Sequence, residues 1–109
     1  MKKIKSFTLF LTLLFFIGVN AQSPIEKKAQ KFTDEITKVL DLSEKDSKAI
    51  YQIQLERFNE NKSIEKEYAD KPEEKKEKSK ALGNKIFNQM KAVLGPERQK
   101  KWKEYKENQ

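Results

Sequence analysis

Apolar residues recur at helical spacing along most of this chain, and the polar residues between them keep the same period. Over residues 24–40, Ile25, Ala29, Phe32, Ile36, Val39 and Leu40 fall within one arc of a helix, while Glu26, Lys27, Lys31, Asp34 and Lys38 hold the other. Ahead of them, Ser23, Pro24 and Glu26 supply a cap, a first-turn proline and the reciprocal carboxylate of a capping box. A helix from about 24 to 40 follows. Asp41, Leu42 and Ser43 form a short break, and Ser43, with Asp46 three residues on, is placed to cap the next helix.

Residues 42–68 carry two apolar stripes instead of one. Ala49, Ile50, Ile53, Ile64 and Tyr68 share one side, and Tyr51, Leu55 and Phe58 lie roughly 140° round the axis. Lys45, Gln52, Glu56, Asn59 and Ser63 fill the remaining polar arc. A surface helix needs only one stripe, so this central helix is expected to have neighbours on both sides. Asp70 reads as the cap of the helix that follows. From Lys71 to Lys80 only Pro72 and Ser79 are uncharged, with Glu74 before Lys78 and Glu77 before Lys80 at pairing distance. Leu82, Ile86, Met90 and Val93, flanked by Phe87 and Leu94, then predict a third helix from about 73 to 94. Gly83 weakens it by about 1 kcal/mol relative to alanine and suits close approach of a neighbour. Gly95 and Pro96 close this helix and open a fourth, to about residue 106, which only Trp102 and Tyr105 can anchor. The predicted fold class is all-α, with four helices and no strand.

The first residues follow different rules. Lys2, Lys3 and Lys5 precede an apolar run from Phe7 to Val19, and Val19-Asn20-Ala21 has the small residues of an export cleavage site. The run is shorter than the ~20 residues of a bilayer span, so it reads as a cleaved leader and not a membrane anchor. The expectation is a signal peptide over residues 1–21, a single helical domain over 22–109, and no transmembrane span after cleavage. Such a chain works in the periplasm or outside the cell. With no cysteine it forms no disulfide, so packing alone must hold it. Loss of the leader removes three lysines and no acid, which lowers the net charge from +7 to +4. A mixed, mildly basic surface of that kind tolerates polyanions without being the signature of a dedicated nucleic-acid binder.

Catalysis has little to work with. The chain lacks histidine and cysteine, which removes the commonest general base, the thiol nucleophile and the usual zinc ligands together. Ser47-Lys48 and Ser79-Lys80 are adjacent in sequence and so diverge on a helix. The carboxylate pairs Glu65 with Glu67 and Glu73 with Glu74 lie in lysine-rich stretches that offer no sheltered cleft. Asp41, Glu44 and Asp46 lack the glycine and final glutamate of a calcium loop, and capping accounts for them. The chain is therefore expected to be no enzyme and to need no cofactor or metal. Arg98, Lys100, Lys101, Lys103 and Lys106 crowd Trp102 and Tyr105 near the C-terminus. Either these groups meet a polyanion or an unfolded chain, or the two aromatics dock the tail on the core while the lysines stay in water. The second reading is the simpler.

Two helix starts repeat a theme 52 residues apart: Leu42-Ser43-Glu44-Lys45-Asp46, followed by Ile50 and Ile53, and Leu94-Gly95-Pro96-Glu97-Arg98-Gln99, followed by Trp102. Both look like divergent copies of the LTxxQ motif, often written LTPEQ in its second occurrence. In them the chain resembles the Spy/CpxP-like family of small exported helical proteins. Ser43 replaces threonine, Asp46 and Arg98 stand where glutamine is expected, and Gly95 has no side chain to cap with. The segment between the motifs is also short for that family. The resemblance implies a long central helical hairpin forming a cradle, often as a homodimer. Such proteins act without ATP on unfolded or partner proteins, or modulate the envelope stress response, and use no small-molecule substrate. Tyr51, Leu55 and Phe58 would then line a dimer seam or a client-binding surface, unless helix one or the C-terminal helix folds over them. The rival reading is a basic envelope protein that binds polyanions such as lipopolysaccharide or extracellular nucleic acid, with Arg98, Lys101, Trp102 and Tyr105 as its surface.

Overall fold

Capping chemistry sets the helix ends. A computed structural model describes residues 22–109, and the predicted export leader, residues 1–21, lies outside the described residues. Helix α1 spans Pro24–Leu40. The Glu26 N–H donates to Ser23 Oγ at 3.1 Å and the Ser23 N–H donates to Glu26 Oε1 at 2.8 Å, closing the capping box. At its far end Asp41 takes the left-handed conformation, φ 53° and ψ 54°. The Leu42 N–H then donates to the Thr37 carbonyl at 3.1 Å, and the Leu42 side chain is buried against the core, as in a Schellman stop. Helix α2 spans Glu44–Glu67, and Ser43 Oγ accepts from the Asp46 N–H at 3.2 Å. The Asp46 carboxylate does not return the bond; it is committed elsewhere, to Arg98.

Helix α3 spans Pro72–Glu107, so the described residues form three helices where four were expected. The break at Gly95 and Pro96 exists as a kink inside the span: Gly95 alone leaves helical geometry, and Pro96 follows it directly. Its cap is Lys71 and not the expected Asp70, which is exposed, and no side chain satisfies the first N–H groups. Pro72, which has no N–H to satisfy, and Glu73 and Glu74 at the positive end of the helix dipole stabilise this end instead.

Helix α2 is the middle element, touching both α1 and α3, which touch each other far less. It runs antiparallel to α3, with Glu65 paired to Lys75 at 2.7 Å, Glu60 to Lys85 at 3.0 Å and Asp46 to Arg98 at 3.2 Å in succession along the seam. Against α1, Thr37 and Ser47 share a hydroxyl hydrogen bond of 2.7 Å. The first stripe of α2 enters the core: Ile50 is fully buried beside Ile36, Leu40, Leu82, Ile86, Met90 and Leu94, with Ile53 and Ile64 packed against them. The second stripe, Tyr51, Leu55 and Phe58, is half-buried along the α1 side. There Lys28 Nζ sits 5.8 Å from the Phe58 ring centroid. Burial raises the Tyr51 hydroxyl pKa, and the nearby Glu26 charge raises it further.

The two stripes are the borders of one broad face whose midline is polar. Gln54 stands four residues after Ile50 and four before Phe58, and it is 1% exposed. Its Oε1 accepts from Arg57 Nη1 at 3.1 Å and its Nε2 donates to Met90 Sδ at 3.4 Å, so its burial leaves neither end unpaired. None of the described helices is long and apolar enough to cross a membrane.

Candidate functional site

The bend in α3 is the origin of the site. Pro96 has no N–H, and Gly95, at φ 82° and ψ 162°, turns the chain out of the helix, so carbonyls ahead of the bend lose their usual partners. Arg98 takes two of them: its Nε donates to the Leu94 carbonyl at 2.8 Å and its Nη2 to the Val93 carbonyl at 3.1 Å. The same Nη2 reaches the Asp46 carboxylate at 3.2 Å. One guanidinium thus caps the first part of α3 and ties the bend to the start of α2. Gln99 adds a strap, its Nε2 donating to the Phe87 carbonyl at 3.2 Å across the angle.

A prediction follows. Arg98→Met is expected to lower stability by about 1–2 kcal/mol in urea denaturation. Charged hydrogen bonds of this type are worth about 1.5–3 kcal/mol, reduced here because the Arg98 and Asp46 side chains are 39% and 28% exposed. Arg98→Lys should restore little, since an ammonium cannot serve three acceptors in a fixed fork. Full stability in Arg98→Lys would show that charge alone matters at this position.

Inside the bend lies a groove of about 750 Å³. One wall comes from the first part of α3, with Gly83, Ile86, Phe87, Met90 and Lys91 at successive helical turns. The second part supplies the other wall through Pro96, Gln99, Lys100, Trp102, Lys103 and Lys106, and ends at Glu107. Phe32 of α1 and Gln54 of α2 form the floor. The lining is mainly apolar, while the rim holds five cations, Arg57, Lys91, Lys100, Lys103 and Lys106, against the single carboxylate of Glu107. Phe87, on this wall, is the one exposed large apolar side chain among the described residues, at 53%. A volume of this size falls within the range of ligand sites, about 300–1,000 Å³.

The residues singled out from sequence divide among different tasks. Leu42 and Leu94, the leading residues of the two motif-like segments, are both buried in the core. Ser43 caps, Pro96 lines the groove and Glu97 is exposed. Asp46 and Arg98, the fifth residues of the two segments, are partners in one ion pair. Trp102 is buried, edge-on to Phe32 with centroids 5.4 Å apart, and Tyr105 stacks on it, also at 5.4 Å. The Tyr105 hydroxyl donates to Glu35 Oε2 at 3.1 Å. Burial and that carboxylate both raise its pKa. Both aromatics therefore dock the tail on α1, and Lys101 beside them stays in solvent.

Tyr51, Leu55 and Phe58 remain together but away from the groove, with Arg57 between the two surfaces, its guanidinium 5.6 Å from the Phe58 ring. Periodicity did not reveal the groove, because its walls meet only through the direction of the bend at Gly95. The available signal was Phe87, an aromatic residue lying beside the Leu82, Ile86 and Met90 stripe instead of within it. Fold and site define an all-helical arrangement of the described residues with an apolar, cation-rimmed groove. No family model matches the chain, and no curated protein or solved structure matches it significantly.

Proposed function

We propose that this is an exported helical binding protein that shelters apolar segments of unfolded or partner proteins in the groove of α3. It would act without ATP, as a chaperone or envelope-stress modulator of the Spy/CpxP-like kind that the two motif-like segments resemble. The observation that carries this reading is Phe87, an exposed aromatic at the mouth of a mainly apolar groove with cations around it. An apolar patch rimmed by charge is the usual mark of an interaction surface. The polyanion reading has less support, because the two aromatic faces that would stack on bases are held against α1 and against each other.

Light scattering of a urea-denatured client diluted into buffer tests the proposal. Phe87→Asp should abolish protection while leaving helical content unchanged and the melting temperature within a few degrees, since the residue is 53% exposed. Leu55→Asp, on the half-buried edge of α2, is the comparison and should retain protection at temperatures where it stays folded. Protection lost in Leu55→Asp and kept in Phe87→Asp would move the binding surface to the Tyr51, Leu55 and Phe58 stripe. A polyphosphate polymer that binds the unaltered protein tightly at low salt and displaces the denatured client would favour polyanion binding.

A further inference from the structure

Resting on that reading of the groove, we infer that its occupant is an amphipathic α-helix with acidic edges, not an extended chain. The groove offers apolar side chains and almost no backbone groups, because its walls are helices whose N–H and C=O groups bond internally. An extended segment would enter with its own backbone donors and acceptors unsatisfied, and the described residues contain no strand edge to pair with it. A helix arrives with those bonds already made and buries only side chains at i, i+3, i+4 and i+7. The wall is spaced to receive them: Gly83, Ile86, Phe87 and Met90 repeat at the same intervals.

Gly83 strengthens the argument. A Cβ built at this position meets nothing within 4 Å, so the backbone of α3 is bare at one end of the wall. A neighbouring helix can approach closely there. Charge sets the polar edges of the occupant. Lys100, Lys103 and Lys106 follow one another at three-residue intervals, a row of about 9 Å along the axis, and Arg57 and Lys91 stand elsewhere on the rim. Among the described residues Lys91, Lys100 and Lys103 have no carboxylate within 4.0 Å. Carboxylates spaced three or four residues apart on a helix would complement that row. The same row disfavours a second copy of this groove, which would bring like charges together.

The test uses the purified full chain and three dye-labelled synthetic peptides of equal length. The first repeats leucine at i, i+3, i+4 and i+7 with glutamate along both edges. The second has the same composition in strict alternation, the strand period, and the third carries lysine in place of glutamate. Anisotropy titration at low salt should show the first binding at least tenfold tighter than either other, with a gain in helical circular dichroism on binding. Gly83→Trp, which fills open space at the groove mouth, should weaken that binding at least tenfold with an unchanged or higher melting temperature. Equal affinity for the alternating peptide overturns the helical occupant and leaves the groove reading standing. Equal affinity for the lysine peptide overturns the acidic edges alone. Failure of all three peptides, with Phe87→Asp still protecting clients, overturns both the inference and the reading beneath it. A peptide of residues 1–21 that binds tighter than the first would give the groove to the chain's own leader and overturn the acidic partner.

Discussion

Replacing Trp102 by alanine is expected to destabilise the protein by about 3–5 kcal/mol, the range for truncating a buried aromatic, and to release the end of α3. The ring is buried, meets Phe32 edge-on and stacks on Tyr105. Residues 96–107 depend on these contacts, because isolated helices shorter than about 12–15 residues are marginal in water. Tyr105 with Glu35 would then be the main remaining tie to α1, and that hydrogen bond is partly solvated. A domain of this size has about 4–13 kcal/mol in all, at about 0.05–0.15 kcal/mol per residue. The change is thus a large share of the total and should lower the melting temperature by more than about 12 °C. Trypsin should cut Trp102→Ala first at Lys100, Lys101 and Lys103, before any site in α2. Lys101→Ala, on the exposed side of the same segment, should stay within about 0.5 kcal/mol. A Trp102→Ala protein as stable and protease-resistant as the original would mean that the aromatic pair does not hold the tail.

Where local chemistry decides, the sequence could be read. The ends of α1 coincide with the signals around them, because Ser23, Pro24 and Glu26 satisfy orphan N–H groups without help from other parts of the chain. The middle position of α2 also followed from its two stripes, since each needs a neighbour. What periodicity hid was the polar row between them. Gln54 looks like solvent-facing punctuation in the sequence, yet it is buried because Met90 and Arg57, distant and near in the chain, meet both ends of its amide. A buried glutamine is legible only once its partners are known. The cap at the start of α3 failed for a related reason. Asp70 has the right residue type, but the chain turns one residue later, at Lys71.

The site was less legible than the fold, and the motif-like segments explain why. Asp46 and Arg98 look unrelated in the sequence. In space they are one feature: an acid and a base joined at 3.2 Å, 52 residues apart in the chain, at the junction of α2 with the bend. That pairing, with the Val93 and Leu94 carbonyls, is what aims residues 96–107 back over α1 and leaves the groove open. No count of apolar spacing contains the direction of a bend. The groove and its rim of lysines are therefore products of tertiary geometry, and Phe87 was the only residue whose exposure hinted at them.

Gly95→Ala carries the second large effect, and its sign is opposite to that of Gly83→Ala. At φ 82° and ψ 162°, Gly95 occupies a region that is essentially glycine-only, and holding another residue there costs about 1–3 kcal/mol. A Cβ at this position would meet nothing within 4 Å, so the penalty is backbone strain with no steric clash to relieve. The chain can keep the bend and bear that strain, or straighten α3 and pull Trp102 off Phe32. Both routes destabilise, and the second also erases the groove. Gly95→Asn should be no better, because asparagine tolerates the left-handed region near ψ 47° and not this extended one. Gly83 lies in regular helix with open space around it, so Gly83→Ala should stabilise by about 0.5–1 kcal/mol. Urea denaturation of the three variants, with small-angle scattering to follow the angle of α3, separates these effects. A Gly95→Ala protein of unchanged stability and unchanged angle would show that the bend does not depend on glycine, and the groove would then need another cause.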